Sequence, residues 1–347
     1  GGSNTNTDAP SSTAIDLGTG RTAVAVSAGT GHTCAILDNG DLKCWGQDTY
    51  HQLGDGGGGS SGTNTNAPSS TAIDLGTGRT AVAVSAGNRH TCAILDNGDL
   101  KCWGANSLGQ LGDGSTSIKT APSSTAIDLG TGRTAVAVVA ENYYTCAVLD
   151  NGEAKCWGYD GFGQLGDGGS NTDTNAPSST AIDLGTGRTA VAVSAGNGHT
   201  CAILDNGEAK CWGYDSNGQL GDGGSNTNTN APSSTAIALG SGRTAVALSA
   251  GSAFTCAILD NGDMKCWGTD YYGQLGNGGT TAEQGSPVAV SGSDTWDSTT
   301  IASSVSGSGS GGGMTNVTSA ISCVATPSLP AGLSIDSNTC TISGTPT

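Results

Sequence analysis

Twelve cysteines, four histidines and a recurring set of acidic residues are the side chains of this 347-residue chain best suited to chemistry. The cysteines are the most ordered of them. Cys34 and Cys44 bracket the run CAILDNGDLKCW, which returns with few changes at Cys92 and Cys102, Cys146 and Cys156, Cys201 and Cys211, and Cys256 and Cys266. The letters Asp-Asn-Gly between two apolar runs suit a three-residue hairpin loop with Gly40 in the left-handed region, which sets Cys34 opposite Cys44. A two-residue Asn-Gly turn would set Cys34 opposite Trp45 instead, so cysteine spacing and turn chemistry agree only on the longer loop. Each hairpin is therefore expected to carry its own disulfide, and five such clasps imply an oxidising compartment. A metal centre would call for short Cys pairs with histidines at ligand spacing, whereas His32, His51, His90 and His199 do not recur with every pair. No metal and no cofactor are expected.

The acidic residues point nowhere more specific. Asp38 and Asp41 flank the first turn, with Glu153 and Glu208 as counterparts in two later repeats, and hairpin acids of this kind are turn formers. Their spacing is too short for a calcium loop. No Ser-His-Asp set and no unusual carboxylate pair departs from the periodic background, so no enzyme is expected.

The elements that position these residues are strands. Glycine accounts for 59 residues, and Gly and β-branched residues interrupt every window that could hold a helix. The first cysteines recur at spacings of 58, 54, 55 and 55 residues, a period of propellers, solenoids or arrays. Each unit offers four short strands, in the first unit 12–17, 22–27, 33–37 and 42–45, which is the blade of a β-propeller. A sixth unit starts at Pro287 to Val290 and then diverges. The net charge of −17 argues against nucleic acid and anionic membrane surfaces, and no apolar run is long enough to span a membrane as a helix. The basic residues fall in two periodic series, Arg21, Arg79, Arg133, Arg188, Arg243 and Lys43, Lys101, Lys155, Lys210, Lys265; only Arg89 and Lys119 stand outside them.

Against so repetitive a background the variable positions are the informative ones. Two windows vary, one just before each first cysteine and one just after each Trp-Gly, and together they hold every histidine, tyrosine and phenylalanine of the chain. These are His32, Tyr50, His51, His90, Tyr143, Tyr144, Tyr159, Phe162, His199, Tyr214, Phe254, Tyr271 and Tyr272. Because the windows precede and follow the same hairpin, both lie at the end of the blade opposite the turn. They form a candidate ligand-binding face, aromatic side chains being favoured where proteins or sugars are gripped. Packing between blades is the competing role for the same residues. The tryptophans 45, 103, 157, 212 and 267 recur without variation, as blade-packing residues do.

The run GHTCAILDNGDLKCWG, followed by Gly-Gln-Leu-Gly at Gly109 to Gly112, Gly163 to Gly166, Gly218 to Gly221 and Gly273 to Gly276, resembles the repeat of the regulator of chromosome condensation family. The resemblance covers about residues 10–290 and implies a β-propeller. A light-sensing member of that family carries Trp in a GWRHT motif; Thr30, Asn88, Asn142, Asn197 and Ser252 stand there in this chain, which argues against light sensing. The expected architecture is all-β: residues 1–290 as propeller repeats, five clear and a partial sixth, 291–313 as a Ser/Gly-rich linker, and 314–347 as a partial immunoglobulin-like module. That last piece is similar to modules of prokaryotic surface proteins, with Cys323 expected to pair with Cys340 and Asn316 opening a glycosylation sequon. The expected function is a secreted or cell-surface, non-enzymatic module for adhesion or for binding a protein or glycan. The alternatives are a polymer-forming subunit of an extracellular filament or sheath, and an inhibitor of a secreted enzyme.

Overall fold

A computed structural model describes residues 13–57, 62–224, 227–280 and 283–291, with the short strands 306–307, 333–335 and 342–344. Asn316, Cys323 and Cys340 lie outside the described residues. The chain divides into two compact units, Gly1–Thr315 and Asn316–Thr347.

In the first unit each cysteine repeat folds as an antiparallel meander. Blade one comprises β1 (Ala23–Ala28), β2 (His32–Leu37) and β3 (Leu42–Gly46). Blade two comprises β4 (Ala81–Ala86), β5 (His90–Leu95) and β6 (Leu100–Gly104). Blade three comprises β7 (Ala135–Ala140), β8 (Tyr144–Leu149) and β9 (Ala154–Gly158). Blade four comprises β10 (Ala190–Ala195), β11 (His199–Leu204) and β12 (Ala209–Gly213). Blade five comprises β13 (Ala245–Ala250), β14 (Phe254–Leu259), β15 (Met264–Thr269) and β16 (Glu283–Ala289). Ser306–Gly307 forms β17, within the stretch expected to be a linker, and pairs in parallel with β1.

The hairpin register is the expected one. Cys34 faces Cys44 across the β2–β3 ladder, their Cα atoms are 4.1 Å apart, and the two are bonded. The other four hairpin pairs repeat this arrangement. Gly40 holds a φ of 81° and donates its N–H to Leu37 O, closing the Asp-Asn-Gly turn. Asp38 then locks the turn to the preceding strand: it accepts from Thr22 N, donates its own N–H to Thr22 O, and pairs with Arg21.

Four strands per blade is corrected to three in blades one to four, as counted within each repeat. In repeats two to five the segment expected to be the first strand makes no ladder within its own repeat. It runs instead along the outer edge of the preceding blade, bonding Ile73 N to Leu42 O, Ile127 N to Leu100 O, Ile182 N to Ala154 O and Ile237 N to Ala209 O. Isolated bridges such as Gly46 to Thr65 fix its other end. The prolines at 68, 122, 177 and 232 lie between these two anchors and have no N–H to offer a ladder. The partial sixth start, Pro287 to Val290, does the same work for blade five, where it supplies the last three residues of β16 and Val290 N bonds to Met264 O.

Blades stack through a repeated apolar junction. Between blades one and two it joins Ile36, Leu42 and Leu53 of the first to Ala81, Ala86, Leu95 and Trp103 of the second. Trp103 Nε1 and Thr91 Oγ1 both donate to Gln52 O, at 3.1 and 2.7 Å. Gly54 holds a φ of 73°, and any Cβ there would collide with the Trp103 ring. The Gln-Leu-Gly element is thus the seat for the next blade's tryptophan. Burying a tryptophan there removes about 150–250 Å² from water, worth at most about 4–6 kcal/mol. The second unit shows an antiparallel pair, β18 (Leu333–Ile335) with β19 (Ile342–Gly344). Those six residues carry no assignment to an immunoglobulin-like module.

Candidate functional site

The two variable windows do lie at one end of each blade. Backbone bonds join them directly: Gln47 N to Gly31 O, Ala105 N to Arg89 O, Tyr159 N to Tyr143 O and Tyr214 N to Gly198 O. Side chains alternate between faces along an extended chain, and that alternation divides the candidate residues into two sets.

The first set is directed between the blades: its buried members His32, His90, Tyr144 and His199 present no surface to a ligand, while Phe254 is half-buried. His32, His90, Tyr144, His199 and Phe254 occupy one register position, the first residue of β2, β5, β8, β11 and β14. The three histidines are buried, and each places Nε2 against the threonine hydroxyl of the next blade: Thr91, Thr145 and Thr255. Burial holds His32 down to about 4 and His90 and His199 down to about 3, so all three are neutral at pH 7. Tyr144 donates to Gly196 O and His199 O and accepts from Thr200 Oγ1, with burial raising its phenol well above the usual range. His51 is also fully buried. It sits in a tight turn with a φ of 60° and offers nothing to a ligand at the surface.

The second set remains accessible and gathers into two clusters. Arg89, one of the two basic residues outside the periodic series, lies 4.4 Å over the Tyr50 ring and 5.7 Å from that of Tyr143. It thereby ties together blades one, two and three by cation–π contact. Tyr159 meets Phe162 edge-on at 5.9 Å, and Phe162 meets Tyr214 at 4.7 Å, spanning blades three and four. Gly198 leaves room for this second cluster, since a Cβ there would press on Phe162 at 3.1 Å. A ladder of side-chain amides, Asn88 to Asn142 to Asn197, crosses the same end of three successive blades. On blade five Tyr271 is 57% and Tyr272 93% exposed.

One residue breaks the repeat where no variation was expected to matter. Gly29, Gly87, Gly196 and Gly251 stand where the third blade has Glu141. A Cβ on Gly87 would meet Glu141 O at 2.8 Å, so these positions are close-packed from blade to blade. Glu141 is buried, its Oε2 has no partner, and burial lifts its carboxyl to about 8. The same repeat replaces His by Tyr144 and Ser by Val139, so the junction between blades three and four has exchanged several of its polar groups at once.

Comparison with known proteins agrees with the repeat motif. A model described as the RCC1-like domain matches residues 1–315. Human E3 ubiquitin-protein ligase HERC2 is 28% identical over 270 residues, which is 78% of this chain and 5% of HERC2. The Ultraviolet-B receptor UVR8 of Arabidopsis thaliana is 30% identical over 284 residues, 82% of this chain and 61% of the receptor. The chain therefore spans less than two thirds of either relative. Among solved structures, human WBSCR16 superposes with a TM-score of 0.71 at 21% identity, covering 85% of this chain and 72% of that one. Prp20p from Saccharomyces cerevisiae, described with its binding properties to Gsp1p and histones, gives 0.66 at 16% identity, covering 85% and 68%. At such identities these two speak for the fold alone. Taken with the match over residues 1–315, they complete the assignment that the cysteine hairpins and Gln-Leu-Gly seats began: this chain belongs to the RCC1-like domain family of β-propellers.

Proposed function

We propose that the chain is a non-catalytic module that binds a protein partner on the blade end opposite the Asp-Asn-Gly turns. The observation carrying this reading is the pair of half-exposed clusters, Tyr50–Arg89–Tyr143 and Tyr159–Phe162–Tyr214. Arginine and tyrosine held in place before binding lose little entropy on contact, and they dominate interface energetics. Five intra-hairpin disulfides support a secreted or cell-surface location. The test uses the full chain with a photo-crosslinker at Tyr272, and a triple variant Tyr50→Ala, Arg89→Ala, Tyr143→Ala compared with Asn39→Ala at the turn end. Loss of one specific crosslinked partner in the triple variant alone supports the reading. Equal capture by both variants, or capture of glycan only, overturns it.

A second reading, a subunit of an extracellular filament, draws on the outermost blades. Trp45 is half-buried where Trp103 is fully buried, and Ile258 and Met264 are half-buried where Ile94 and Leu100 are buried. Blade one of a second copy set on blade five of the first would repeat the junction found between neighbouring blades, a head-to-tail contact that propagates. Electron microscopy of undenatured protein separates the readings. Regular polymers favour the filament, and single particles favour the binding module.

A further inference from the structure

The loop after each Trp-Gly holds an internal comparison between blades two and three. In blade two, Asn106 Oδ1 accepts from Leu111 N at 2.9 Å, and its Nδ2 lies within reach of four oxygens: Asp113 Oδ1 at 3.1 Å, Ser115 O at 3.0 Å, Ser115 Oγ at 3.3 Å and Ser117 O at 3.2 Å. Lys119 Nζ completes the loop from the other side, 3.0 Å from Asp113 Oδ2. This version of the loop closes on donors supplied by the chain itself.

Blade three keeps the scaffold and removes the donors. Asp160 Oδ1 accepts from Leu165 N at 2.9 Å, the bond that Asn106 makes, so Asp160 Oδ2 takes the place of the Asn106 amide nitrogen. Where Lys119 bridges to Gly104, Thr174 bridges to Gly158. Two further carboxylates flank the position. Asp173 Oδ1 accepts from Asp160 N, and Asp167 Oδ1 accepts from Gly169 N, which leaves one oxygen on each for another contact. Asp160 is fully buried, and its Oδ2 has no partner. A buried carboxylate oxygen with no donor facing it is an unsatisfied polar atom. Such a group is costly unless something positive meets it.

We propose that the loop Asp160–Thr174 of blade three binds a calcium-type divalent cation, held by Asp160 Oδ2 with the carboxylates of Asp167 and Asp173 and carbonyl oxygens of the loop. All available donors are oxygen and the backbone is irregular, which suits calcium's flexible coordination better than magnesium's strict octahedron. Among the described residues no three His, Cys, Asp or Glu side chains stand together as metal ligands, so Asp160 Oδ2 is the anchor of the site and the exposed Asp167 and Asp173 have to turn toward it. The other blades grade the prediction. Blade four has Asp215 and Asp222 but Asn228 in place of Asp173, and blade five has Asp270 with Asn277 in place of Asp167. Blade three is the strongest site and blade two is none.

The test is calcium titration of the full, chelator-treated chain by calorimetry and thermal melting, with magnesium as control. Wild type should bind calcium with a Kd of ~10⁻³ M or tighter, and should melt higher in its presence. Asp160→Asn, which places in blade three the residue that blade two already uses, should still fold and should weaken the strongest site by at least about 10-fold. Asp160→Asn with Thr174→Lys rebuilds the blade-two arrangement and should lose that site altogether. No calcium response in wild type, or an equal response in Asp160→Asn, overturns the proposal.

Discussion

The two ends of a blade are built from equally repetitive sequence and do opposite work. At the turn end every blade is the same: Asp-Asn-Gly closes the hairpin and an Arg–Asp pair braces it, as in Arg21–Asp38 and Arg133–Asp150. At the other end the backbone bonds also repeat, but the side chains differ from blade to blade, and neighbours in sequence have opposite fates. Tyr143 is half-exposed beneath Arg89, while Tyr144 is buried between blades. A rigid, repeated frame lets one set of positions vary without disturbing the fold, and the pleat decides which of those positions meet solvent.

Breaking that comparison should be most visible at the adjacent tyrosines. Tyr144→Ala should cost about 3–5 kcal/mol in denaturant or thermal unfolding, as large aromatic deletions in cores do. Tyr143→Ala should change stability by less than about 0.5 kcal/mol while weakening partner capture. Equal effects on stability would show that the alternation is misassigned. Removing the Cys146–Cys156 clasp by Cys146→Ala with Cys156→Ala should lower stability by about 2–3 kcal/mol, read as a fall in melting temperature. An unchanged melt would mean that the turn alone sets the hairpin.

Glu141 sharpens the comparison through pH. Its carboxyl goes from an ordinary value of 4.5 to about 8 on folding, so the folded chain holds the extra proton between those values and stability should fall as pH rises through that window. Glu141→Gln should remove this fall in melts recorded from pH 5 to about 9. The buried histidines act in the other direction. Their folded values of about 3 to 4 lie below the ordinary 6.5, so the unfolded chain takes up the extra proton, and stability should decline as pH drops below about 6.5. The smallest effect belongs to the turn end, where the half-exposed ion pair makes Arg133→Ala cost below about 1 kcal/mol, measured at low and high salt.

Much of the frame could be read from the letters. The ten-residue cysteine spacing and Asp-Asn-Gly fixed both loop length and disulfide partner, because turn type and register are local and leave one consistent answer. The placing of both variable windows at one end followed from the same hairpin. The candidate face was read too broadly, since a window defined by sequence pools residues that point in opposite directions. The best missed signals were departures from period: Arg89 and Lys119, the two basic residues outside the series, both sit in specific contacts, and Glu141 in a glycine position is buried with an unpartnered Oε2. The fourth strand was misplaced because an extended segment fits any free edge, and only packing shows that it lies along the preceding blade.

The sequence by itself determined the hairpins, their clasps and the repeat, all of which depend on contacts within a dozen residues. Only the tertiary structure decided what each hairpin's identical letters would become. Trp45 and Trp103 close the same thirteen-letter run ending in Gly46 and Gly104, yet one is half-buried and the other fully buried. The cause lies outside the run: a tryptophan is removed from water by the Gln-Leu-Gly seat of the blade before it, a contact from about fifty residues away that no local pattern encodes.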